Sequence, residues 1–472
     1  MLNDELRMLN DEFGMMNDEF GMMKSKTSEA NSEFRMKNCN KIPSLIIMLF
    51  VLCFSWNIMQ AQSVDSLVSE ALINNPFIKS LEYKIKSSEY RTNSVDALPP
   101  PTVGFELSQI PFNTIDWFNE PLSQNLTFSQ MFPLGGKIDA MTNVEKSNIG
   151  ISRDNLQVYK INLTANIKMS YFNLWLIEKK IEVQQESINL LNQLHNSIIK
   201  LYEINKISQA DIFTVMSETA FNETQLLILQ NQKESEIYKM NKLLGRDLNS
   251  KELVVEKELP VFALNQTQEE LEVILAGNNP SLKRMNSMIE MNKYDIIAND
   301  KERIPDLMLQ GMLMRMPRGM LLTTKSPLDM GDGTGSTDYG YGLMASVTLP
   351  FVPWSKGKFE AKEQEFQTII QSIESEKSDM LREMNVQLKT AFVKMKTSLD
   401  LIKLYSENVI PLYEKARSAQ VSAYQNNQTN INTVIDANRM ILMQSMNYFM
   451  AQADYQMAVA EIEMMVGISV NK

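Results

Sequence analysis

A helical pattern of great length, at residues 137–202, constrains the fold of this 472-residue chain more than any other feature. No proline interrupts it, and its apolar residues recur at spacings of three and four, as in a coiled coil. At about 1.5 Å per residue such a helix is about 100 Å long, whereas helices of compact domains average about 11–12 residues. We therefore predict a rod whose seam contains Leu174, Ile177, Ile181, Gln184, Ile188, Leu191, His195, Ile198 and Tyr202.

The carboxy-terminal half predicts a second rod of the same kind. Pro411 lies inside it and predicts a kink or a missing backbone hydrogen bond, because proline lacks the amide proton. The seam of this rod is predicted to contain Leu381, Met384, Leu388, Ala391, Met395, Ser398, Ile402, Tyr405, Val409, Leu412, Ala416, Ala419 and Ala423.

The two rods belong to two related halves of the chain. NNPFIKSL at 74–81 is matched by NNPSLKRM at 278–285, and LLGRD at 243–247 by MVGIS at 465–469. Each half predicts a helix (about 64–97 and about 268–303), two strands, the rod, a turn and a return helix. We divide the chain into a first repeat at 62–258 and a second at 259–472, with a Gly-rich insertion around 320–341 in the second.

The amino-terminal region is predicted to direct export. An apolar run at 42–58 follows two lysines and precedes MQAQ, in which Ala61 is a small residue, and this pattern indicates a signal peptide at 36–61. The alternative is an uncleaved anchor helix. Residues 1–35 contain a seven-residue repeat and are either a disordered tail or an extension before a true start at Met36. Cleavage after Ala61 would remove both cysteines, Cys39 and Cys53.

Composition excludes several classes of function. The net charge of −11 argues against a nucleic-acid partner, which would require a basic surface. The mature chain would hold one histidine, His195, and no cysteine. With no catalytic constellation and no phosphate-binding loop before a helix, we predict neither an enzyme nor a cofactor.

The predicted strands alternate between apolar and polar residues, at 103–108, 125–129 and 343–349. Strands with one apolar and one polar face suit a membrane β-barrel, although a sheet packed against helices has the same period. Four strands cannot close a barrel, and open edges are not tolerated in lipid, so several chains would have to share one barrel.

This order of elements resembles the TolC-like outer-membrane efflux channels over residues 64–472. The most specific marker is the turn between rod and return helix, Tyr-x-x-Gly-x-x-Ser/Thr in that family. Asparagine replaces the glycine in both copies here and is the next-best residue type for a left-handed turn. The matching residues are Tyr202, Asn205 and Ser208 in the first copy and Tyr424, Asn427 and Asn430 in the second.

The resemblance implies an α+β membrane protein with two strand-strand-helix-helix repeats per protomer. A homotrimer would form a 12-stranded outer-membrane β-barrel, surrounded by lipid and continued by a periplasmic α-helical barrel. The six turn residues would contact a periplasmic adaptor protein, and an inner-membrane transporter would supply energy. The implied function is the exit channel of a tripartite efflux or type I secretion system for small molecules such as drugs or metal ions. The competing hypothesis is an exported coiled-coil rod or adhesin without a pore.

Two further groups of residues have two interpretations each. Asp211 and Asp436 lie just past the turns and either form acidic rings at an aperture or complement the helix dipole. Methionines at alternate positions of the third strand either line a path for Cu(I) or Ag(I) or fill space as flexible apolar side chains. These methionines are Met308, Met312, Met314 and Met316. Ser208 and Asn430 are also predicted to be the N-caps of the return helices.

Overall fold

The structure is a computed structural model that describes residues 62–469, apart from 111, 113–114, 117, 251–252, 261–263 and 318–336. The predicted signal peptide, the amino-terminal extension and most of the Gly-rich insertion therefore lie outside the described residues. The elements in chain order are α1 Val64–Asn74, α2 Pro76–Val95, β1 Thr102–Ser108, β2 Ser123–Pro133, α3 Lys137–Glu203, α4 Gln209–Leu244, α5 Gln268–Asn278, α6 Pro280–Lys301, β3 Asp306–Met316, β4 Asp338–Val347, α7 Pro353–Leu404, a π-helix Tyr405–Val409, α8 Ile410–Gln425 and α9 Ile431–Val466.

The predicted fold class of two strand-strand-helix-helix repeats is confirmed. The first repeat runs through β1, β2, α3 and α4, and the second through β3, β4, the α7–α8 rod and α9. The boundary at residues 258 and 259 stays a prediction. None of the helices in the described part of the chain combines the length and the apolar character that a membrane-spanning helix requires.

The prediction of one helix at the start of each repeat is wrong, because an Asn-Pro pair divides that helix into two. Proline fits the first position of a new helix, where its missing amide proton is not needed. The asparagine before it caps the new helix: Asn75 Oδ1 accepts from the Phe77 amide at 2.9 Å, and Asn279 Oδ1 accepts from the Ser281 amide at 2.8 Å.

The matched sequence motifs of each repeat meet in space. The side-chain amide of Asn75 donates to the Leu243 carbonyl at 2.9 Å, and that of Asn279 donates to the Met465 carbonyl at 2.7 Å. Each return helix then ends at a glycine with positive φ, +75° at Gly245. A Cβ on Gly245 would lie 2.9 Å from the carbonyl oxygen of Asn74, so the close approach requires glycine. The Asn-Pro motif thus fixes the end of the return helix to the start of its own repeat.

Within the described residues, three hydrophobic cores hold the helices together. The first joins α1, α2, α3, α4 and α9 around the buried Tyr171 and Trp175. The second joins α5, α6, α7 and α9 around Leu388 and Tyr455. The third lies at the two turns, between the α3–α4 hairpin and the α8–α9 hairpin, and consists of Ile198, Val215, Tyr424, Ile431, Val434 and Ile435.

The four strands form one antiparallel sheet in the order β1-β2-β3-β4, and its register runs without a bulge. One side, which we name the apolar face, carries large exposed apolar side chains: Val103, Phe105, Leu126, Phe128, Leu309, Leu313, Tyr339, Tyr341, Leu343 and Val347. The other side, the polar face, carries methionines together with hydroxyl, amide, acidic and glycine residues. The residues other than methionine are Thr102, Gly104, Glu106, Ser108, Ser123, Asn125, Thr127, Ser129, Gln310, Asp338, Gly340, Gly342 and Ser346.

The seam of the second rod moves by one residue at the π-helix. The predicted positions Leu388, Ala391, Met395 and Ser398 are buried, but Leu412 is 64% exposed. A π-helical turn uses one residue more than an α-helical turn, so every later side chain rotates to the next position. Tyr424 is therefore buried where the uninterrupted pattern predicted Ala423, and the predicted seam is wrong at Leu412, Ala416, Ala419 and Ala423.

Candidate functional site: the helical tip

The two turns at the end of the rods have the same backbone geometry. Asn205 and Asn427 adopt left-handed conformations with φ of 58° and 59°. Each turn closes with two amide bonds, to the carbonyls of Tyr202 and Leu201 in the first and to those of Tyr424 and Ala423 in the second. The turns therefore accommodate asparagine in place of the glycine of the family's motif, because asparagine tolerates this conformation.

The predicted N-caps differ in how they work. Asn430 Oδ1 accepts from the Thr433 amide at 3.1 Å and caps α9. Ser208 occupies the N-cap position of α4, but its side chain makes no capping bond to the backbone. Its hydroxyl donates instead to Asp211 Oδ1 at 3.3 Å. Ser208 thus orients an acidic side chain at the start of the return helix.

Tyr202 and Tyr424 occupy matching positions but different surroundings. Tyr202 is 42% exposed, whereas Tyr424 is 4% exposed and belongs to the third core. Ile204, in the same turn as Tyr202, is 60% exposed although it is apolar. Sequence reasoning missed Ile204, since an isoleucine in a turn carries no motif. The first turn therefore presents an exposed apolar surface, and the second contributes its tyrosine to the interior.

A hydrogen bond joins the two hairpins at the tip. The Tyr424 hydroxyl donates to Asp211 Oδ2 at 3.1 Å, across 213 positions in the chain. Burial, and then the bond to Asp211, raise the pKa of Tyr424 above its usual range. The phenol therefore remains protonated near neutral pH and remains a donor to the carboxylate.

A second link joins the hairpins one layer further from the turns. The guanidinium of Arg439 on α9 binds Glu218 on α4 with two bonds, of 2.9 and 2.5 Å. Bidentate pairs of this kind are among the stronger polar contacts in proteins. Sequence reasoning missed both residues, because single charges on long helices are common and their partner is distant in sequence.

A buried polar layer extends this link into the first rod. Asn222 donates to Glu218 Oε1 at 3.2 Å, and Gln184 donates to Asn222 Oδ1 at 2.7 Å. Gln184 is one of the polar residues that interrupt the predicted seam of α3. The interruption was thus the sequence signal for a layer that connects α3, α4 and α9.

The two acidic residues predicted at an aperture have different partners. Asp211 accepts from Tyr424 and from Ser208, so its carboxylate is engaged within the tip. Asp436 is largely exposed and lies 3.5 Å from Arg439, one turn along the same helix. The two carboxylates thus have different partners, and an acidic ring stays a prediction.

The four predicted methionines lie on the polar face of the sheet, in the register expected for alternate positions of β3. Their neighbours add Met131, directly opposite Met308, and Met344, directly opposite Gln310. The sequence gave no reason to group these two with the others, because strand pairing decides the neighbours. Among the described residues, no group of three or more His, Cys, Asp or Glu side chains is arranged to hold a metal ion.

Comparison with known proteins identifies the fold. No family model matches this sequence, and a search of curated proteins finds no significant relative. Solved structures do match: the outer membrane protein VceC from Vibrio cholerae has a TM-score of 0.68 at 13% identity, over 88% of this chain and 98% of that one. The MtrE outer membrane channel of Neisseria gonorrhoeae, solved in its open state, gives 0.67 at 14% identity, over 86% and 89%. The CmeC outer membrane channel of Campylobacter jejuni gives 0.63 at 14% identity, over 93% and 92%.

Each match spans most of both compared chains, and together the matches define the fold class. The chain has the fold of the TolC-like outer-membrane efflux channels.

Proposed function

We propose that this protein is the outer-membrane exit channel of a tripartite efflux or type I secretion system, which exports small molecules such as drugs or metal ions from the periplasm. The observation that carries the proposal is one sheet with an exposed apolar face and an opposite polar face, joined to helices of up to 67 residues. Lipid outside and water inside explain both faces. An exported rod or adhesin without a pore would have no use for exposed leucine, phenylalanine and tyrosine on a sheet.

The edges of the sheet support assembly of several copies. β1 and β4 are the outermost strands of the described sheet, and unpaired strand edges are not tolerated in lipid. Pairing β4 of one copy with β1 of the next removes both edges. Three copies of four strands make the 12-stranded barrel of a homotrimer, placed in the outer membrane with the helices extending into the periplasm.

The apolar face of the sheet and the exposed turns indicate the partners of the proposed channel. Outer-membrane lipid would surround the apolar face, and a periplasmic adaptor would contact the exposed turns. Tyr202, Ile204, Asn205 and Ser208 in the first turn and Asn427 and Asn430 in the second offer apolar, hydroxyl and amide groups to a helical hairpin of that adaptor. Tyr424, which the resemblance also assigned to this contact, is buried and does not offer its side chain to a partner. An inner-membrane transporter would supply the energy. The protein itself would catalyse no reaction, and its acidic charge disfavours nucleic acid.

A matched pair of variants tests the channel. Leu309 lies on the apolar face and Gln310, the next residue, on the polar face. Arginine on a lipid-facing strand position costs about 2–4 kcal/mol at the bilayer midplane. Leu309→Arg is therefore expected to reduce the amount of protein in outer-membrane fractions, whereas Gln310→Arg is expected to insert normally and to change ion conductance in planar bilayers. A water-soluble chain that needs no detergent, or equal behaviour of the two variants, would contradict the proposal.

A further inference from the structure

We infer that the polar face of the sheet carries a binding path for the soft cations Cu(I) and Ag(I), formed by the thioethers of six methionines. The inference rests on the proposed function in that the polar face must line the lumen. It adds a substrate class and the residues that would bind it. The six residues are Met131, Met308, Met312, Met314, Met316 and Met344.

The first observation is the distribution of methionine between the two faces. All six methionines of β2, β3 and β4 lie on the polar face, where they are the only large apolar side chains among hydroxyl, amide, acidic and glycine residues. The apolar face of the same strands holds leucine, valine, phenylalanine and tyrosine together with Gln124, Gln130 and Arg315, and no methionine. If methionine served only as an apolar filler, it would be expected on the face that lipid covers. This distribution therefore points to a role for the methionine sulfur atoms on the polar face.

The second observation is that the six positions are contiguous. Met131 is directly opposite Met308 in the register of β2 and β3. Met344, opposite Gln310, is the diagonal neighbour of both Met308 and Met312, at about 7–8 Å between backbones. Met314 and Met316 continue the row at alternate positions along β3. Long, flexible side chains at these spacings can bring two or three sulfur atoms to one cation.

The third observation is that β4 leaves room for these side chains. Met312 Cε lies 3.2 Å from the position that a Cβ on Gly342 would occupy, and Met316 Cε lies 3.9 Å from that on Gly340. Glycine opposite methionine thus creates a shallow groove across which the thioether can lie. A larger residue at Gly342 would displace the Met312 side chain from this position.

The ligand chemistry selects the cation. Thioether sulfur is a soft, neutral donor that suits Cu(I) and Ag(I) and not hard cations such as Mg²⁺ or Ca²⁺. Neutral donors in a row also allow release, because passage requires several sites that bind weakly enough for the ion to leave. A row of six thioethers across three strands therefore fits transit better than storage.

The test compares two triple variants of the full chain in detergent. Met312→Leu/Met314→Leu/Met316→Leu removes sulfur from the polar face, and Met240→Leu/Met395→Leu/Met465→Leu removes the same number of sulfur atoms from the buried helical cores. Leucine and methionine have similar volumes, so each exchange is expected to cost less than about 1.5 kcal/mol. Ag(I) alone is the probe, with retained silver measured by mass spectrometry after desalting, and Cu(I) is titrated against a chromogenic chelator.

The wild-type chain and the core variant are expected to retain Ag(I). The strand variant is expected to bind Ag(I) at least about tenfold more weakly, because loss of even an outer-shell partner of a metal site lowers the affinity by about that factor. Equal binding by both variants, or no binding by the wild-type chain, would overturn the inference. If the strand variant fails to fold, judged by its gel mobility before heating, Met131→Leu/Met308→Leu gives the same comparison. Ion conductance of the same wild-type preparation separates the two proposals: conductance without silver binding refutes only the methionine path, and absence of conductance refutes the channel itself.

Discussion

At the scale of single residues, the two tip tyrosines have different contacts: Tyr202 is exposed at the surface, and Tyr424 is buried in the third core. Tyr424 →Phe removes the hydroxyl that binds Asp211 and keeps the buried ring. A hydrogen bond to a charged group contributes about 1.5–3 kcal/mol, so this variant should loosen the contact between the two hairpins. If the proposed channel opens by separation of the two hairpins at the tip, this bond must break, so we expect higher conductance in planar bilayers.

Tyr202→Phe is the matched control for that experiment. Its ring is partly exposed and lies at the equivalent position of the first turn. We expect unchanged conductance from this variant. If Tyr424→Phe and Tyr202→Phe conduct alike, the bond between Tyr424 and Asp211 does not hold the tip.

The Asn-Pro motif gives a second prediction at this scale. Asn279 is buried, caps α6 and donates to the Met465 carbonyl, whereas Asn278 beside it is exposed. Asn279→Ala would leave a helix end and a buried carbonyl without their partner, at a cost of about 1–3 kcal/mol. Thermal unfolding in detergent should show a lower midpoint for Asn279→Ala than for Asn278→Ala. Equal midpoints would mean that the motif does not stabilise the repeat.

At the scale of elements, the π-helix decides which side of α8 faces the tip core. Inserting an alanine after Ser406, inside the π-helix, adds a second extra residue and should rotate every later side chain by about 100°. Tyr424 would then leave the core and lose Asp211. We expect faster proteolysis at the turns around residues 204 and 427 in this variant.

Ser406→Ala keeps the length of the rod and is the control for the insertion. Its exposed hydroxyl donates only to the Lys403 carbonyl within the same helix. Its proteolysis should equal that of the unchanged chain. An insertion variant as resistant as Ser406→Ala would show that the number of residues in the π-helix does not set the register of the tip.

At the scale of the whole molecule, the two strand edges predict how copies meet. If β4 of one copy pairs with β1 of the next, a cysteine at Val103 should form a disulfide with a cysteine at one of the apolar-face positions of β4, Tyr341, Leu343 or Ala345. Cross-linking requires Cβ atoms about 3.5–4.5 Å apart. With Cys39 and Cys53 changed to serine, oxidation should give a ladder that ends at three chains on denaturing gels.

A cysteine at Val103 combined with one at Leu309 is the control for the cross-link. Leu309 lies on β3, and β2 separates β3 from β1 within one sheet. No ladder is expected from this pair. Cross-linking of the control, or none from any β4 position, would contradict the shared barrel.

Much of the architecture was readable from local pattern. The α3 rod was predicted at 137–202 and spans Lys137–Glu203, because an unbroken apolar seam without proline permits little else. The left-handed turns at Asn205 and Asn427 were predicted from the resemblance to the TolC-like channels, whose turn motif both copies match except at the glycine. The alternation that separates the two faces of the sheet likewise follows from a period of two, which is a property of the strand itself.

What local pattern could not decide depends on contacts distant in sequence. Pro411 predicted an irregularity in the second rod. Only the packing of that rod decided that one extra residue forms a π-helix and that Tyr424 is the buried residue. The pairs Tyr424–Asp211 and Arg439–Glu218 join residues more than 200 positions apart. The sequence by itself determined the rods, the turns and the repeats, because these arise from neighbouring residues; the tertiary structure decided which side chains face each other, because that depends on how the two repeats pack.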